Sequence, residues 1–584
     1  MKIKVFLLRF SVVFLLLSTS LYSKKVDIFF QQKIPMRDGI KLSADLYINP
    51  SMNAPVPVLF VMTPYTSDGV HTDAMFYAEN GYNVVVADCR GRGNSEGDFI
   101  PFENEGKDGY DICQWIASQS WCNGKIGMFG GSYLGMAQWL AIKENPPALR
   151  TAIPVATVCP GIDFPKQNNI FYSYDIQWLV FTYGKTSNAK AFGDEKFWNR
   201  IYMEHFLNII PYNELDLISG VKSNVYQKWL KHPTFDDYYR NILPSKEDFA
   251  KINIPLLKIT GHFDDDQPGT MYYYRNFMEY GNNDAKNKCY LIIGPWNHGG
   301  TRRPAKNYMN MTFGDNSILD ILKIHLQWFD YTLKNGSLPD FLKNKVACYE
   351  MGSDEWKFAS KIDDLSNSKK IFYLHSENGK ANDIVNSGKL NSDKPDKEEP
   401  DSYIYNPLDT NYSSFKIENQ STEYAWRSPT EAIYPDRLVY HTPVLKKDLV
   451  FTGNAKFITY ISADVTDTDF EGILYEVLPD GSCNYLTSTI MRARYRNSLS
   501  TEELLKPDEI YKIEFKNFHF TSRKLKKGSR IRLVFGALNS PLFQKNYNSG
   551  TDVSFETKKN AKVANIKLYH DKNYPSYLEL PVYE

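Results

Sequence analysis

The 584-residue sequence has no excess of charge of either sign: Lys+Arg and Asp+Glu stand at 68 each, for a formal net charge of zero. A chain that grips a phosphate backbone needs a basic face or stripe, so no nucleic-acid partner is expected. Cysteine is scarce. The seven residues (Cys89, Cys113, Cys122, Cys159, Cys289, Cys348, Cys483) form no C-x-x-C pair and no Cys/His pairing of the kind that holds zinc. An odd total leaves at least one thiol unpaired whatever an oxidising compartment does to the rest, and most read as small buried apolar residues. No internal repeat is present, which excludes a solenoid or propeller. After the first two dozen residues no apolar run approaches the ~20 residues of a bilayer span. Nothing in the pattern implies a metal or another cofactor.

What is present begins with an address. MKIKVFLLRFSVVFLLLSTSLYS joins Lys2, Lys4 and Arg9 to a short apolar run over Val12–Leu17 and small residues at Ser18 and Ser20. This is the layout of a secretory signal peptide over residues 1–23, so the expectation is export to the periplasm or the medium and a mature chain without membrane attachment. The remaining length exceeds what one hydrophobic core serves, and two or three domains are expected. Aromatic residues make up 15% of the chain, with 40 Tyr and 35 Phe, a composition suited to β-rich cores and aromatic-lined pockets.

From about Val26 to Ile162, strand and helix signals alternate. VPVLFVMTPY and YNVVVADCRGRG are apolar, β-branched runs that end in turn residues, and GKDGYDICQWIASQ repeats Ile112, Trp115 and Ile116 at helical spacing. Strand, turn and helix in that order imply a parallel sheet with crossover helices. INIPLLKITGHFDDD and KNKCYLIIGPWNHGG resume the pattern after residue 250. The intervening stretch is rich in Tyr, Phe, Trp, Asn and Lys, with helical patches such as DEKFWNRIYMEHFLNII, as in an inserted cap. Beyond residue 345 short alternating runs (KFITYISADV, ILYEVLPDGS, RIRLVFGAL) mark an all-β module, preceded by SGKLNSDKPDKEEPDS, which reads as a charged, exposed loop. The predicted order is core 24–164, cap 165–250, core 251–345 and β module 346–584.

GMFGGSYLGM, residues 127–136, sets Ser132 among glycines. Taken alone, the decapeptide fits either a nucleophile on a sharp turn or a close crossing of two segments. Its position adds information. Ser132 follows the strand pattern KIGMFGG and precedes YLGMAQWLAI, whose Leu134, Ala137, Leu140 and Ala141 recur at helical spacing, so it stands where a nucleophile elbow belongs. An acid and a base are then expected at the ends of later strands in the order Ser, Asp, His; Asp264 ends LLKITGHFD and His298 ends CYLIIGPWNH.

RDGIKLSADLY, TPY, DCRGRGNSEG, GMFGGSYLGM, GHFD and GPWNHGG, in this order, resemble the serial motifs of the CocE/NonD-type serine hydrolases. That family includes cocaine esterase, α-amino-acid ester hydrolases, glutaryl acylases and Xaa-Pro dipeptidyl-peptidases. DLVFTGNAKFITYISADVTDTDF and LPDGS are similar to its C-terminal jelly roll. The resemblance spans nearly the whole mature chain, and the family's variant of the elbow, G-x-S-Y-x-G, is met by Gly130, Ser132, Tyr133 and Gly135. It implies an α/β-hydrolase core with a helical cap and a C-terminal jelly-roll β-sandwich. It also implies a Ser132–Asp264–His298 triad and an oxyanion hole made by the Tyr133 N–H and the Tyr65 phenol. α-Amino-acid ester hydrolases place carboxylates just after the catalytic Asp to hold a substrate ammonium; Asp266 matches one such position, Asp265 lies beside it, and Gln267 stands where a further acid would be. Read without the family, Asp265 and Asp266 are equally a solvated acidic loop or a helix N-cap. Asp88, Arg90 and Arg92 read as a structural loop near the site rim, and Trp115, Trp121 and Trp296 as core or pocket wall. His262 reads as structural. The expected activity is acyl transfer to water from a small ester, amide or short peptide. An Xaa-Pro dipeptidyl-peptidase, a glutaryl acylase and a catalytically silent carbohydrate- or surface-binding protein are the alternatives, and homo-oligomerisation is left open.

Overall fold

Every residue of VPVLFVMT and NVVVAD is buried. A strand covered on both faces has no reason to alternate polar with apolar side chains, and its backbone groups need ladder partners, so such runs become inner strands of a helix-flanked sheet. The computed structural model describes residues 26–52, 54–377, 379–410 and 436–584. The expected leader, residues 1–23, lies outside them.

The first sheet contains strands β1 (Asp27–Pro35), β2 (Lys41–Ile48), β3 (Val56–Thr63), β4 (Asn83–Asp88), β5 (Cys122–Ser132), β6 (Leu149–Thr157), β7 (Leu256–Phe263), β8 (Cys289–Asn297), β9 (Val346–Glu350) and β10 (Glu355–Ala359). Their order is β1-β2-β4-β3-β5-β6-β7-β8-β9-β10. Strands from β4 to β9 run parallel, whereas β1, β2 and β10 join antiparallel at the edges. Alternate side chains of β3 enter different cores: Val58, Phe60 and Met62 pack on one side, Leu59 and Val61 on the other. The helices are α1 (His71–Glu79), α2 (Glu105–Ala117), α3 (Tyr133–Lys143), α4 (Tyr174–Phe181), α5 (Glu195–Phe206), α6 (Gln267–Tyr280) and α7 (Ile321–Leu333), with shorter turns between them.

Helices α4 and α5 belong to the insertion between β6 and β7. Asp194 caps α5 by accepting the Phe197 N–H, and Trp198, Ile201, Tyr202, His205 and Phe206, spaced three and four apart, form its buried stripe. This insertion rests on the core through aromatic rings: Trp178 of α4 stacks on Tyr133 of α3 at 5.5 Å and, within the insertion, on Trp229 at 6.4 Å.

The C-terminal part is β-rich and folds over its own apolar core. Strands β11 (Ser368–His375), β12 (Asp401–Tyr405), β13 (Thr521–Leu525), β14 (Arg530–Ala537) and β15 (Ala564–Tyr569) are among its members. The segment predicted as an exposed charged loop is only partly solvated. Glu398 accepts from His375 Nδ1 (2.6 Å) and lies 3.1 Å from Nδ1 of buried His570, whose Nε2 sits 2.9 Å from buried Asp401. Burial alone would strip a proton from His570, but the two carboxylates raise its pKa, which is why these charges are tolerated inside the fold. All seven cysteines are free and buried.

The β module is sewn to the rest by backbone bonds. Met351, just past β9, donates to the Ser522 carbonyl at 3.0 Å and accepts from the Lys524 N–H at 2.8 Å, while Ser173 donates to the Leu542 carbonyl at 2.8 Å.

Candidate active site

Ligands of open parallel sheets bind outside the carboxyl ends of the strands. Three of those ends converge here. Ser132 terminates β5 with φ 63° and ψ −126°, and α3 begins at the next residue. A non-glycine residue at positive φ is strained, and strain of this kind persists only where the surroundings enforce it. Glycines on either side are required: Gly130 holds φ 125°, where a Cβ would also lie 2.7 Å from Leu134 Cβ, and a Cβ on Gly135 would stand 3.0 Å from the Val155 carbonyl oxygen. α3 begins at Tyr133, so the N–H groups of its first turn, which have no partner within the helix, follow Ser132 directly in the chain.

Asp264 follows β7 and is fully buried. Its Oδ1 accepts from His298 Nδ1 at 2.9 Å and from the Asp266 N–H at 3.1 Å; its Oδ2 accepts from Thr260 Oγ1 at 2.7 Å. Burial opposes ionisation, but the hydrogen bond and charge of His298, with these further donors, hold its carboxyl below the usual carboxylate range. His298, just past β8, remains partly exposed to the cavity.

Tyr65 lies just past β3. Its hydroxyl accepts the Trp178 Nε1–H at 3.0 Å, and its ring stacks on Phe181 at 5.0 Å. Burial pushes the phenol up to about 12, with the Trp178 hydrogen bond opposing. The Tyr133 side chain turns away from the site: its hydroxyl donates to buried Glu105 and accepts the Phe102 N–H at 3.1 Å. Burial raises the Glu105 carboxyl to about 7, partly offset by the Tyr133 hydrogen bond.

Ser132, His298, Tyr65 and Tyr133 line one cavity of about 300 Å³, together with Asp265 and Asp266. Asp266 occupies the N-cap position of α6 but makes no side-chain cap bond. Instead its Oδ2 approaches His298 Nδ1 to 3.5 Å. Burial, followed by the charges of Asp163, Asp264 and Asp265, holds the Asp266 carboxyl well above the usual range. The N-cap and solvated-loop readings of Asp266 therefore give way to a cavity wall. Asp264, Asp266 and His298 also place ligand atoms within 4.8 Å of one another, a cluster that could share a metal ion and that sequence spacing did not reveal.

Several lining residues carried no sequence signal. Asp163 accepts the Cys159 N–H at 2.7 Å and the Gly269 N–H at 2.6 Å, so it ties the end of β6 to α6. Trp178, Tyr172 and Tyr174 come from the insertion, and Leu542 and Phe543 from the β module. Other singled-out residues lie elsewhere. Arg92 is buried and donates to the carbonyls of Pro64, Thr182, Gly184 and Thr186, while Arg90 pairs with Asp38 and Asp108. His262 bonds the Tyr349 carbonyl at 2.7 Å, and burial pushes its pKa down to about 4. Trp296 is core, and Trp115 packs edge-on to Trp121 at 6.2 Å, away from the cavity.

Residues 38–300 match the sequence pattern described as X-Pro dipeptidyl-peptidase (S15 family), and residues 345–579 match that of the X-Pro dipeptidyl-peptidase C-terminal non-catalytic domain. The chain belongs to this family of CocE/NonD and X-Pro dipeptidyl-peptidase serine hydrolases. Among its relatives, cocaine esterase from Rhodococcus sp. (strain MB1 Bresler) is 29% identical over 578 residues, covering 94% of this chain and 97% of that one. An α-amino acid ester hydrolase structure superposes with a TM-score of 0.80 at 21% identity, covering 96% and 97% of the two chains. An aminopeptidase from a marine sediment Thaumarchaeota archaeon gives 0.81 at 20%, covering 96% of each. At that identity the two structures establish a shared fold. The S15-type chain is thus an enzyme, with a parallel-rich hydrolase core and a C-terminal β module.

Proposed function

We propose that Ser132 is the nucleophile of this serine hydrolase, with His298 as its base and Asp264 as the orienting acid, and that it cleaves an ester or amide through an acyl-enzyme. The observation that carries this reading is the 2.9 Å bond from His298 Nδ1 to buried Asp264 in the cavity that the strained Ser132 also lines. An imidazole holding its proton on Nδ1 presents Nε2 as the base. It takes the Ser132 proton as Oγ attacks the acyl carbon, then returns it to the leaving alcohol or amine; water deacylates the enzyme by the same route. The tetrahedral oxyanion is stabilised by the Tyr133 N–H and the Tyr65 hydroxyl.

Aromatic walls favour a partly apolar acyl group, and Asp163, Asp265 and Asp266 on the same wall favour one bearing a free amine. This ranks an α-amino ester or peptide, or a simple carboxylester, ahead of a strict Xaa-Pro dipeptide or a glutaryl amide. The leader, residues 1–23, supports export. The test is labelling by a fluorophosphonate, read by intact mass, alongside turnover of phenylglycine methyl ester and its N-acetyl counterpart. One adduct on the wild type and none on Ser132→Ala is expected, with faster turnover of the free amine. Equal labelling of both proteins removes the nucleophile assignment, and equal turnover of the two esters removes the ammonium preference.

A further inference from the structure

Gln267 opens α6 directly after Asp264, Asp265 and Asp266, and is 1% exposed. Its side-chain amide has three partners, all of them backbone. Nε2 donates to the Gly261 carbonyl of β7 and to the Phe520 carbonyl, each at 2.9 Å, and Oε1 accepts the Phe520 N–H at 2.6 Å. With Phe520 the amide makes the two-way exchange of a strand pair, and with Gly261 it closes the acidic loop back onto the strand it leaves. The main chain completes that ring: the Gln267 N–H donates to the Asp264 carbonyl at 3.0 Å. Gly261 is itself pressed against β8, where a Cβ would stand 2.0 Å from the Trp296 carbonyl oxygen, two residues before His298.

Phe520 belongs to the β module, immediately before β13, and its ring stacks on His262 at 6.3 Å and 11°. The preceding carbonyl, of His519, accepts from Thr487 Oγ1 at 2.8 Å. The outer support of the loop that carries Asp264 is therefore the backbone of a different domain. An acid at position 267 would set a carboxylate against two carbonyl oxygens and lose both donations, which explains why an amide stands there.

We infer that Gln267 is a positioning residue through which the C-terminal β module holds Asp264 against His298. The inference rests on the proposed triad. Its consequence is that a domain described in this family as non-catalytic contributes to turnover without touching substrate. Loosening the loop misplaces the acid by a fraction of an ångström, and errors of that order cost enzymes ~10- to 100-fold in rate.

The test is a double-mutant cycle in the full-length protein, using Gln267→Leu, Asp264→Asn and the pair, read as kcat and KM for a p-nitrophenyl ester and as the rate of fluorophosphonate labelling. Residues acting through one another are non-additive. The expected result is a ~10- to 100-fold lower kcat for Gln267→Leu with KM within about twofold, and little further loss in the Asp264→Asn background. Equal losses in both backgrounds, an unchanged kcat, or a loss confined to KM would overturn the inference. Where Gln267→Leu does not fold, Gln267→Met, uncharged and close to glutamine in length and shape, carries the same comparison. If Asp264→Asn alone leaves turnover intact, the triad falls first and the inference with it; if Asp264→Asn is impaired but the cycle is additive, only the inference falls.

Discussion

The Tyr65 hydroxyl accepts a hydrogen bond from Trp178 at 3.0 Å, and an oxygen that accepts from one side keeps its own proton to give on another. With burial pushing its pKa to about 12, the phenol stays protonated at any working pH, and it faces the cavity that Ser132 also lines. These are the requirements of a preorganised oxyanion donor. Tyr65→Phe keeps the ring stacked on Phe181 and removes only the donor, so it should lower kcat by ~10²- to 10³-fold with little change in melting temperature. Near-normal turnover would return Tyr65 to a packing role. Tyr133, the residue after Ser132, shows the opposite case, because its phenol is spent on Glu105.

At the scale of elements, the site depends on how α2 and α3 meet. Glu105 in the first turn of α2 accepts from Tyr133 at the start of α3, and so pins the first turn of α3 after Ser132. Burial raises the Glu105 carboxyl from 4.5 to about 7. Its folded pKa thus exceeds its unfolded one, and the folded state keeps a proton that the unfolded chain has already released. Stability is full below the unfolded value, falls as pH rises towards 7, and levels off above it. Glu105→Gln keeps the acceptor and removes the titration, so its stability relative to wild type should grow between pH 5 and pH 8. The limit over the whole titration is about 3.5 kcal/mol, the ~2.5-unit shift taken at ~1.4 kcal/mol per unit. Urea unfolding at the two pH values measures it, and a constant difference would show that Glu105 does not titrate across folding.

For the whole molecule, the β module is a structural part of the hydrolase. It supplies Leu542 and Phe543 to the cavity, hydrogen bonds to Met351 and Ser173, and the Phe520 backbone to Gln267. A chain ending just past β10, near residue 360, keeps the whole first sheet but would expose the core surface that these contacts cover and leave the Gln267 amide without two of its three partners. Such a truncation should aggregate or lose most of its hydrolase activity, judged by size-exclusion chromatography and p-nitrophenyl ester turnover. A monomeric, fully active product would assign the module to attachment or recognition instead.

The parts of this protein written locally were open to reading from the sequence. Strand–turn–helix order, the glycines around Ser132, and the polar residues ending LLKITGHFD and CYLIIGPWNH follow from backbone sterics and periodicity, which act over a few residues. The change of texture beyond residue 345 pointed to a C-terminal β module, but the expected boundary at 346 falls too early, because Val346–Glu350 and Glu355–Ala359 pair into the first sheet. What only the tertiary structure decided are pairings between segments far apart in the chain: Asp163 with Gly269, Gln267 with Phe520, Glu398 with His570, Tyr133 with Glu105. Nothing near Asp266 in the sequence distinguishes a solvated loop from a wall 3.5 Å from His298. The difference lies in burial and in the neighbouring charges, both of which arise only when β7, β8 and the cap close around the same space, because desolvation is a property of the packed volume and not of the residue.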